Sequence, residues 1–375
     1  MKIVRQRRIR LWRKDCKLKT ENLKIAIYYD WLNQWGGAER VLLDLLEIYP
    51  EADLYTLDYQ PDKCPWLPKN HRVFSLNLKN KLFYSPFYAF KLEQIDFSAY
   101  DILISTTATV GHCFLTLPKT LFICYFHNIN RYLYQNPPIL LKPLLKKYQN
   151  IDKVYGQRPD YLFCNSQNVA TRIEKNYQRK ATIIYPGIDL NKFTPNNQSA
   201  QPYFLIVSRL VPHKKIDLAV EAFADSQYQL KIVGRGRESA YLKCLAKGLN
   251  NIEFIEEVTE PELIKLYQNC TALIYPQEED LGLSALEAQA CGRGVIAYNR
   301  GGALETIING KTGILFDRQD KPSLLLAIEK YLKSPPKSDE TRLQAQKFNR
   351  QNFMLNFKKQ VDNLWSKRQT VVITS

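Results

Sequence analysis

Apolar positions in this chain gather into short unbroken runs instead of alternating with polar ones. The first is Lys24-Ile-Ala-Ile-Tyr-Tyr29, ending at Asp30 and followed by Gly36 and Gly37, after which Ala38 opens a segment with Val41, Leu42, Leu45 and Leu46 at helical spacing. This reads as strand, glycine loop, helix. Asp101–Thr106, Thr120–Tyr125, Tyr161–Cys164 and Ala181–Tyr185 are further strand candidates separated by helix-length segments. Strands that are apolar throughout fit a parallel sheet covered on both faces.

A polar stretch of weak periodicity, from Pro186-Gly187 to Ala200 with Pro195 inside it, is expected to connect two domains. Beyond it the pattern restarts with Tyr203–Val207, Gln229–Val233, Ile252–Ile255, Ala272–Tyr275 and Gly294–Ala297, alternating with helical segments such as Ile216–Ala224 and Pro261–Gln268. The expected class is therefore α/β, with two doubly wound Rossmann-like domains in tandem. The expected bounds are an extension over 1–22, a first domain over 23–195, a second over 196–345, and a final helix over 346–375 crossing back to the first. Ligands of such sheets bind beyond the carboxyl ends of the strands, which points to the cleft between the domains.

Composition agrees and adds a partner. The 375 residues suit two domains of roughly 150 to 200 residues, and 45% hydrophobic with 24% charged residues excludes a mainly disordered chain. The eight cysteines are scattered with no Cys-x-x-Cys pair, as expected of reduced thiols in a cytosolic protein. No run approaches a membrane span, and no apolar segment follows the basic amino terminus as a secretory signal requires. The net charge of +16 predicts an anionic partner: nucleic acid, nucleotide phosphate or an anionic membrane face. Residues 1–22 hold nine basic and two acidic residues, so nearly half of the excess sits in a leader.

The sharpest candidate site is Pro276-Gln-Glu-Glu279-Asp-Leu-Gly282-Leu-Ser-Ala-Leu-Glu287, closed by Gly292. A buried strand runs into an acidic loop, and a helix starting near Leu283 turns its N–H groups towards whatever sits at the strand end. Glu287, one turn into the helix, is placed to accept from ribose hydroxyls, and Glu279 to touch a sugar. Taken alone the two glutamates read better as solvated charges; the flanking strand, Gly282 and Gly292 shift the reading towards a site. In Ser208-Arg209-Leu-Val-Pro-His-Lys214-Lys215, also at a strand end, an arginine fork and an ammonium suit a diphosphate, or else an ordinary basic helix start. That start is disfavoured without an anion, since positive charge there opposes the helix dipole. Gly301-Gly302 and Gly36-Gly37 repeat the strand, glycine pair, helix layout and are expected to offer backbone N–H groups to a sugar and a phosphate. Gly234-Arg-Gly236 is half a dinucleotide fingerprint and a poor Rossmann cofactor signal. His127, after a buried strand and ahead of Arg131-Tyr132, reads as a satisfied core histidine or as a site residue.

Together these residues resemble the family 4 (group 1) retaining glycosyltransferases of the GT-B fold, which include O-antigen and exopolysaccharide mannosyltransferases, over about residues 24 to 366. The match rests on Glu279 to Glu287 with Gly282, on Arg209 with Lys214, and on Gly36-Gly37-Ala-Glu39. His127 with Arg131-Tyr132, and Pro186-Gly187-Ile188-Asp189 with Phe193, extend it. Departures from the family pattern are Lys215 at a usual glycine, Asp280-Leu281 for Gly-Phe, Asn128-Ile129 for Thr-Pro, and Glu256 at a place often held by glycine. They bear on donor sugar and acceptor more than on reaction class.

The resemblance implies metal-independent, retaining transfer of a hexosyl group, mannosyl favoured, from GDP-mannose or a UDP-hexose to a glycan or lipid-linked acceptor in cell-surface polysaccharide synthesis. No cofactor is expected. It implies catalytic roles for Glu279, Arg209, Lys214 and His127, and donor contacts at Gly36, Gly37, Gly234, Gly282, Leu283, Ser284 and Glu287. Acceptor contacts fall at Arg131 and Tyr132. The first domain would hold the acceptor and the second the donor. A nucleic-acid binder is the competing class, against which stand dispersed basic residues and no recognition module; an epimerase of the same fold lacks a motif in its favour. Residues 74–91 and 138–147 mix large apolar side chains with lysines, so peripheral attachment to the inner face of the cytoplasmic membrane is expected, although both segments would equally serve as core helices.

Overall fold

The computed structural model describes residues 23–78, 86–134, 142–196 and 200–374. They form two compact units, the first comprising residues up to Cys164, Arg172–Ile184 and Met354 onward, the second Asn165–Thr171 and Tyr185–Phe353.

The first unit carries β1 (Ile25–Leu32), β2 (Asp53–Tyr59), β3 (Val73–Ser75), β4 (Ile102–Thr107), β5 (Leu121–Phe126), β6 (Tyr161–Cys164) and β7 (Thr182–Ile183), in the order β3-β2-β1-β4-β5-β6-β7. The second carries β8 (Tyr203–Val207), β9 (Gln229–Val233), β10 (Ile252–Ile255), β11 (Ala272–Tyr275), β12 (Gly294–Tyr298) and β13 (Gly313–Phe316), in the order β10-β9-β8-β11-β12-β13. All pairings are parallel. Both sheets are Rossmann-like, with helices in most connections between successive strands, though none between β4 and β5.

The unbroken apolar runs follow from two-sided burial. In the second sheet Tyr203, Leu205, Leu273, Tyr275, Val295 and Ala297 enter one core, and their neighbours Phe204, Ile206, Ala272, Ile274 and Ile296 enter the core on the opposite face. In each sheet the strand order reverses beside the first strand, between β1 and β4 and between β8 and β11. In folds of this kind, ligands bind at the carboxyl edge beside such a reversal.

Several expectations need correction. The first strand does not stop at Tyr29 but continues through Asp30 to Leu32. Asp30 is buried, and its carboxylate accepts from the Thr107 hydroxyl at 2.7 and 2.9 Å and the Ala108 N–H at 2.7 Å. Burial pushes that carboxyl up from the usual range while the N–H and hydroxyl donors pull it back. Strands β2, β3 and β13 had no counterpart among the apolar runs. In β2 the polar Asp53 is buried because it accepts two N–H groups of Arg72 at 2.9 Å each and the Tyr100 hydroxyl at 2.7 Å. Ile188 and Phe193, in the stretch expected to be a polar connection, lie in the core of the second unit, and Ile188 N–H donates to Phe348 O at 2.9 Å.

In the helix Pro86–Glu93, Tyr88, Ala89 and Leu92 are buried, as is Leu145 in the helix Lys142–Tyr155. These residues of the two membrane-facing candidates are core, whereas Phe74 and Phe90 are exposed. The leader over 1–22, and residues 79–85 and 138–141 of those candidates, lie outside the described residues.

The last helix, Arg350–Thr374, places Phe357 against Tyr125 and Phe163 in the first unit, with ring centroids 6.0 and 5.6 Å away. Phe357→Ala leaves a ring-sized cavity there and lowers the unfolding free energy by about 3 to 5 kcal/mol in urea denaturation followed by circular dichroism. A loss below about 1 kcal/mol would show that this ring does not anchor the helix.

Candidate active site

In the second unit the loops after β8, β9, β11 and β12 leave the same edge of the sheet. Those after β8 and β9 run in contact: Ser208 N–H donates to Val233 O at 3.1 Å and Leu210 N–H to Arg235 O at 2.8 Å. Gly234 has φ +136°, and a Cβ on it would stand 2.0 Å from Ser208 O. Packing against this carbonyl accounts for the glycine, whatever it contributes to a ligand. Arg209 is exposed on the β8 loop. A single turn of 3₁₀-helix, Pro212–Lys214, follows, and then Lys215 with φ 53° and ψ 37° immediately before the helix Ile216–Ala224. The usual glycine of the resembling family thus falls at a left-handed residue, a conformation that costs a lysine roughly 1 to 2 kcal/mol.

Lys214 and Glu279 meet. The ammonium of Lys214 forms an ion pair with Oε1 of Glu279, both side chains being largely covered at 12% and 17% exposure. The loop bearing Glu279 is braced by its neighbour: Gly302 N–H donates to Glu279 O at 2.8 Å, and a Cβ on Gly301, at φ +62°, would stand 2.4 Å from the same oxygen. The Gly301-Gly302 pair therefore serves close approach between two loops, and the Gly302 N–H is spent on protein, which corrects its expected role towards sugar or phosphate.

The helix Leu283–Ala290 begins where expected, after Gly282 at φ +95°. A side chain at Gly282 would collide with the Tyr275 hydroxyl. Leu283 and Ser284 are half-buried in the first turn, with positive dipole and backbone N–H groups at that end. Glu287 is buried, and its Oε2 accepts from the Tyr267 hydroxyl at 2.8 Å. That bond fixes the orientation of the carboxylate. Gln277, between β11 and Glu279, is also buried. Glu305 accepts the N–H groups of Gln167 and Asn168 at 2.7 and 2.9 Å and the Tyr185 hydroxyl at 2.9 Å. Its role is structural.

In the first unit Gly36 precedes the helix Gly37–Ile48 in extended conformation, and Gly36 O accepts the Arg40 N–H at 3.2 Å. Glu39 is buried and accepts the Tyr29 hydroxyl at 2.6 Å. The Tyr29 ring in turn meets His127 edge-on at 6.4 Å, so one tyrosine links the glycine loop to the histidine. His127 follows β5, with Nε2 2.7 Å from the Thr106 hydroxyl. Burial pushes its pKa down to about 3, which leaves a neutral imidazole near neutral pH. Arg131 is half-buried at the start of the short helix Arg131–Tyr134; the Tyr132 side chain lies outside the described set.

A residue that gave no signal in the sequence supports this helix. Asp152 is buried and accepts the Tyr134 and Tyr177 hydroxyls at 2.8 Å each, and its Oδ1 lies 2.9 Å from His112 Nε2. Its partners come from three separate segments, so no local spacing announced it. Among the described residues no three His, Cys, Asp or Glu side chains gather as a metal-ligating group.

Two family models cover most of the chain: one described as glycosyl transferases group 1 over residues 188–351, the other as glycosyltransferase family 4 over residues 35–192. The chain belongs to the group 1/family 4 glycosyltransferases. A relative from Dictyostelium discoideum, named alpha-1,3/1,6-mannosyltransferase ALG2, is 25% identical over 92% of this chain and 97% of its own length. The chain spans about half the length of two further curated relatives that it matches. Among solved structures, sucrose-phosphate synthase from Thermosynechococcus elongatus superposes with a TM-score of 0.75 at 20% identity, covering 92% of this chain and all of that one. HepE from Anabaena, solved with UDP-glucose, gives 0.68 at 18% identity over 91% of this chain and 100% of its own. The fold is GT-B.

The buried neutral His127 carries a pH signature. Its pKa is depressed in the folded state, so its stabilising contribution is present above the unfolded value near 6.5 and is lost as pH falls towards about 3. Between pH 7 and pH 5 that loss amounts to about 2 kcal/mol, and His127→Asn should remove that share of the acid sensitivity. Urea midpoints at the two pH values for both proteins measure it; equal pH slopes would mean His127 titrates normally.

Proposed function

We propose that this glycosyltransferase moves a hexosyl group, mannosyl favoured, from a nucleoside-diphosphate sugar to a glycan or lipid-linked acceptor in cell-surface polysaccharide synthesis, with retention of anomeric configuration and without a metal ion. The observation that carries the reading is the meeting of Lys214 with Glu279 beside the start of the helix Leu283–Ala290. A cation for the diphosphate, a carboxylate for the sugar and a helix dipole share one strand edge. The mannosyltransferase relative supports the sugar, and the UDP-glucose complex of the Anabaena protein leaves a UDP-hexose as the other donor.

On this reading the donor diphosphate takes Lys214 from Glu279. Arg209 and Lys214 then neutralise the charge that builds on the leaving group, which makes their contribution larger in the transition state than in the bound substrate. Glu279, once released, accepts from donor-sugar hydroxyls, and Glu287 accepts from the ribose. The bond from the anomeric carbon to the phosphate oxygen breaks with its electron pair leaving on the diphosphate. The acceptor oxygen bonds to the same face of that carbon, and its proton passes to the departing phosphate oxygen. No second carboxylate is needed as a base. Neutral His127 contributes hydrogen bonding to the sugar, or its backbone carbonyl, and adds no positive charge near a developing oxocarbenium ion. Gly36 and Gly37 would meet the donor, and Arg131 with Tyr132 the acceptor.

The test is a transfer assay with GDP-mannose and UDP-hexoses in excess EDTA, with calorimetry of GDP and UDP. Arg209→Ala should lower kcat/KM by about 10², or ~3 kcal/mol. Glu279→Gln should abolish most transfer yet bind the nucleoside diphosphate more tightly than wild type, because Lys214 no longer exchanges partners. Activity restored only by magnesium or manganese would overturn the metal-free clamp, and weaker nucleotide binding by Glu279→Gln would overturn the exchange.

We further propose peripheral attachment to the cytoplasmic face of the membrane, supported by the +16 net charge. Among the described residues no helix is long and apolar enough to cross a membrane. Co-sedimentation with anionic liposomes at low salt, reversed at high salt, is the expected result; no binding at low salt would end the proposal.

A further inference from the structure

The loop between β1 and the helix Gly37–Ile48 carries an aromatic feature that the donor chemistry does not use. Trp35 is 45% exposed although it is among the largest apolar side chains available. Its indole lies 5.2 Å from that of Trp66, centroid to centroid, with the two planes inclined at 50°. The geometry is held from several sides. Trp66 Nε1 donates to Gln34 O at 3.1 Å, and the Gln34 side-chain amide donates to Glu39 at 3.3 Å. The guanidinium of Arg40 stands 5.9 Å from the Trp35 ring.

Single exposed apolar residues need no explanation. Two indoles fixed at an angle, one open to water and both joined to the glycine loop at the switch point of the first sheet, form a prepared surface. Indole faces carry negative potential and attract polarised hydrogens, so the C–H face of a pyranose ring is a fitting occupant. Gln34 and Arg40 beside the rings supply polar contacts for the hydroxyl rim. The cation pair and helix start that suit a nucleotide all belong to the second unit.

We propose that Trp35 and Trp66 form a stacking platform for a sugar ring of the acceptor, with Trp35 presenting the face and Trp66 setting its tilt. This rests on the glycosyl-acceptor reading above. The rigid loop makes the platform a determinant of acceptor choice, because a ring with axial hydroxyls on the stacked face would be held off the indole.

The probes are the methyl α-glycosides of mannose, glucose, galactose and N-acetylglucosamine, followed by saturation-transfer NMR on the full chain, with GDP and UDP calorimetry in parallel. Wild type should show transfer to the ring C–H protons of at least one glycoside. Trp35→Ala should weaken that binding about tenfold and Trp35→Phe should largely restore it. Nucleotide affinity should be the same in all three. Equal glycoside signals in wild type and Trp35→Ala, or none in a wild type that binds nucleotide, would overturn the platform. A loss of nucleotide affinity in Trp35→Ala would assign it to the donor instead, and loss of binding to anionic vesicles without loss of glycoside binding would make it a membrane contact. A wild type that binds glycosides but neither GDP nor UDP would contradict the transferase reading and leave the platform standing.

Discussion

Because β8 and β11 are parallel neighbours, the loops that follow them leave one edge of the sheet side by side, and this brings the Lys214 ammonium onto the Glu279 carboxylate. Most of the candidate donor site depends on that adjacency. Gly234 lets the β9 loop lie against Ser208, Gly301 and Gly302 let the β12 loop lie against Glu279, and Gly282 makes room for Tyr275. Each glycine removes a side chain where two backbones, or a backbone and a ring, must touch. Opposite charges left partly covered at such an edge stabilise each other, since neither is well served by water there.

The first unit solves a different problem, that of buried carboxylates. Asp30 is satisfied by Thr107 and Ala108, Glu39 by Tyr29, and Asp152 by two tyrosine hydroxyls with His112 beside it. A buried carboxylate with several donors is a strong orienting point, because breaking any one bond leaves charge uncompensated in a medium of low dielectric. These points set the glycine loop, the strand end before His127 and the short helix of Arg131. Burial keeps the His127 imidazole neutral instead.

How much of this was legible in the chain follows from the range of each signal. Two-sided burial writes itself into contiguous apolar runs, so ten of the strands, the two-sheet class and the helix start at Leu283 were readable locally. Strands β2, β3 and β13 were not, and in β2 the reason is Asp53, whose burial depends on the distant Arg72 and Tyr100. The site followed the same rule. Glu279 and Glu287, and likewise Arg209 and Lys214, are close in sequence, so their spacing was readable as a candidate site. Asp152 and the bracing use of Gly302 depend on segments distant in sequence and did not.

By itself the sequence determined the element types, the tandem α/β arrangement and the family, since period, glycine placement and motif spacing are properties of neighbouring residues. Tertiary structure decided which of those residues act together. Lys214 and Glu279 are 65 residues apart and meet only because the strand order sets β8 beside β11. Lys215 takes a left-handed conformation that its own side chain disfavours, because the turn into the next helix requires it. Trp35 and Trp66 become a platform through a hydrogen bond from one loop to another. In each case the deciding energy comes from contacts that exist only once the sheet has closed the distance, and no periodicity along the chain records them.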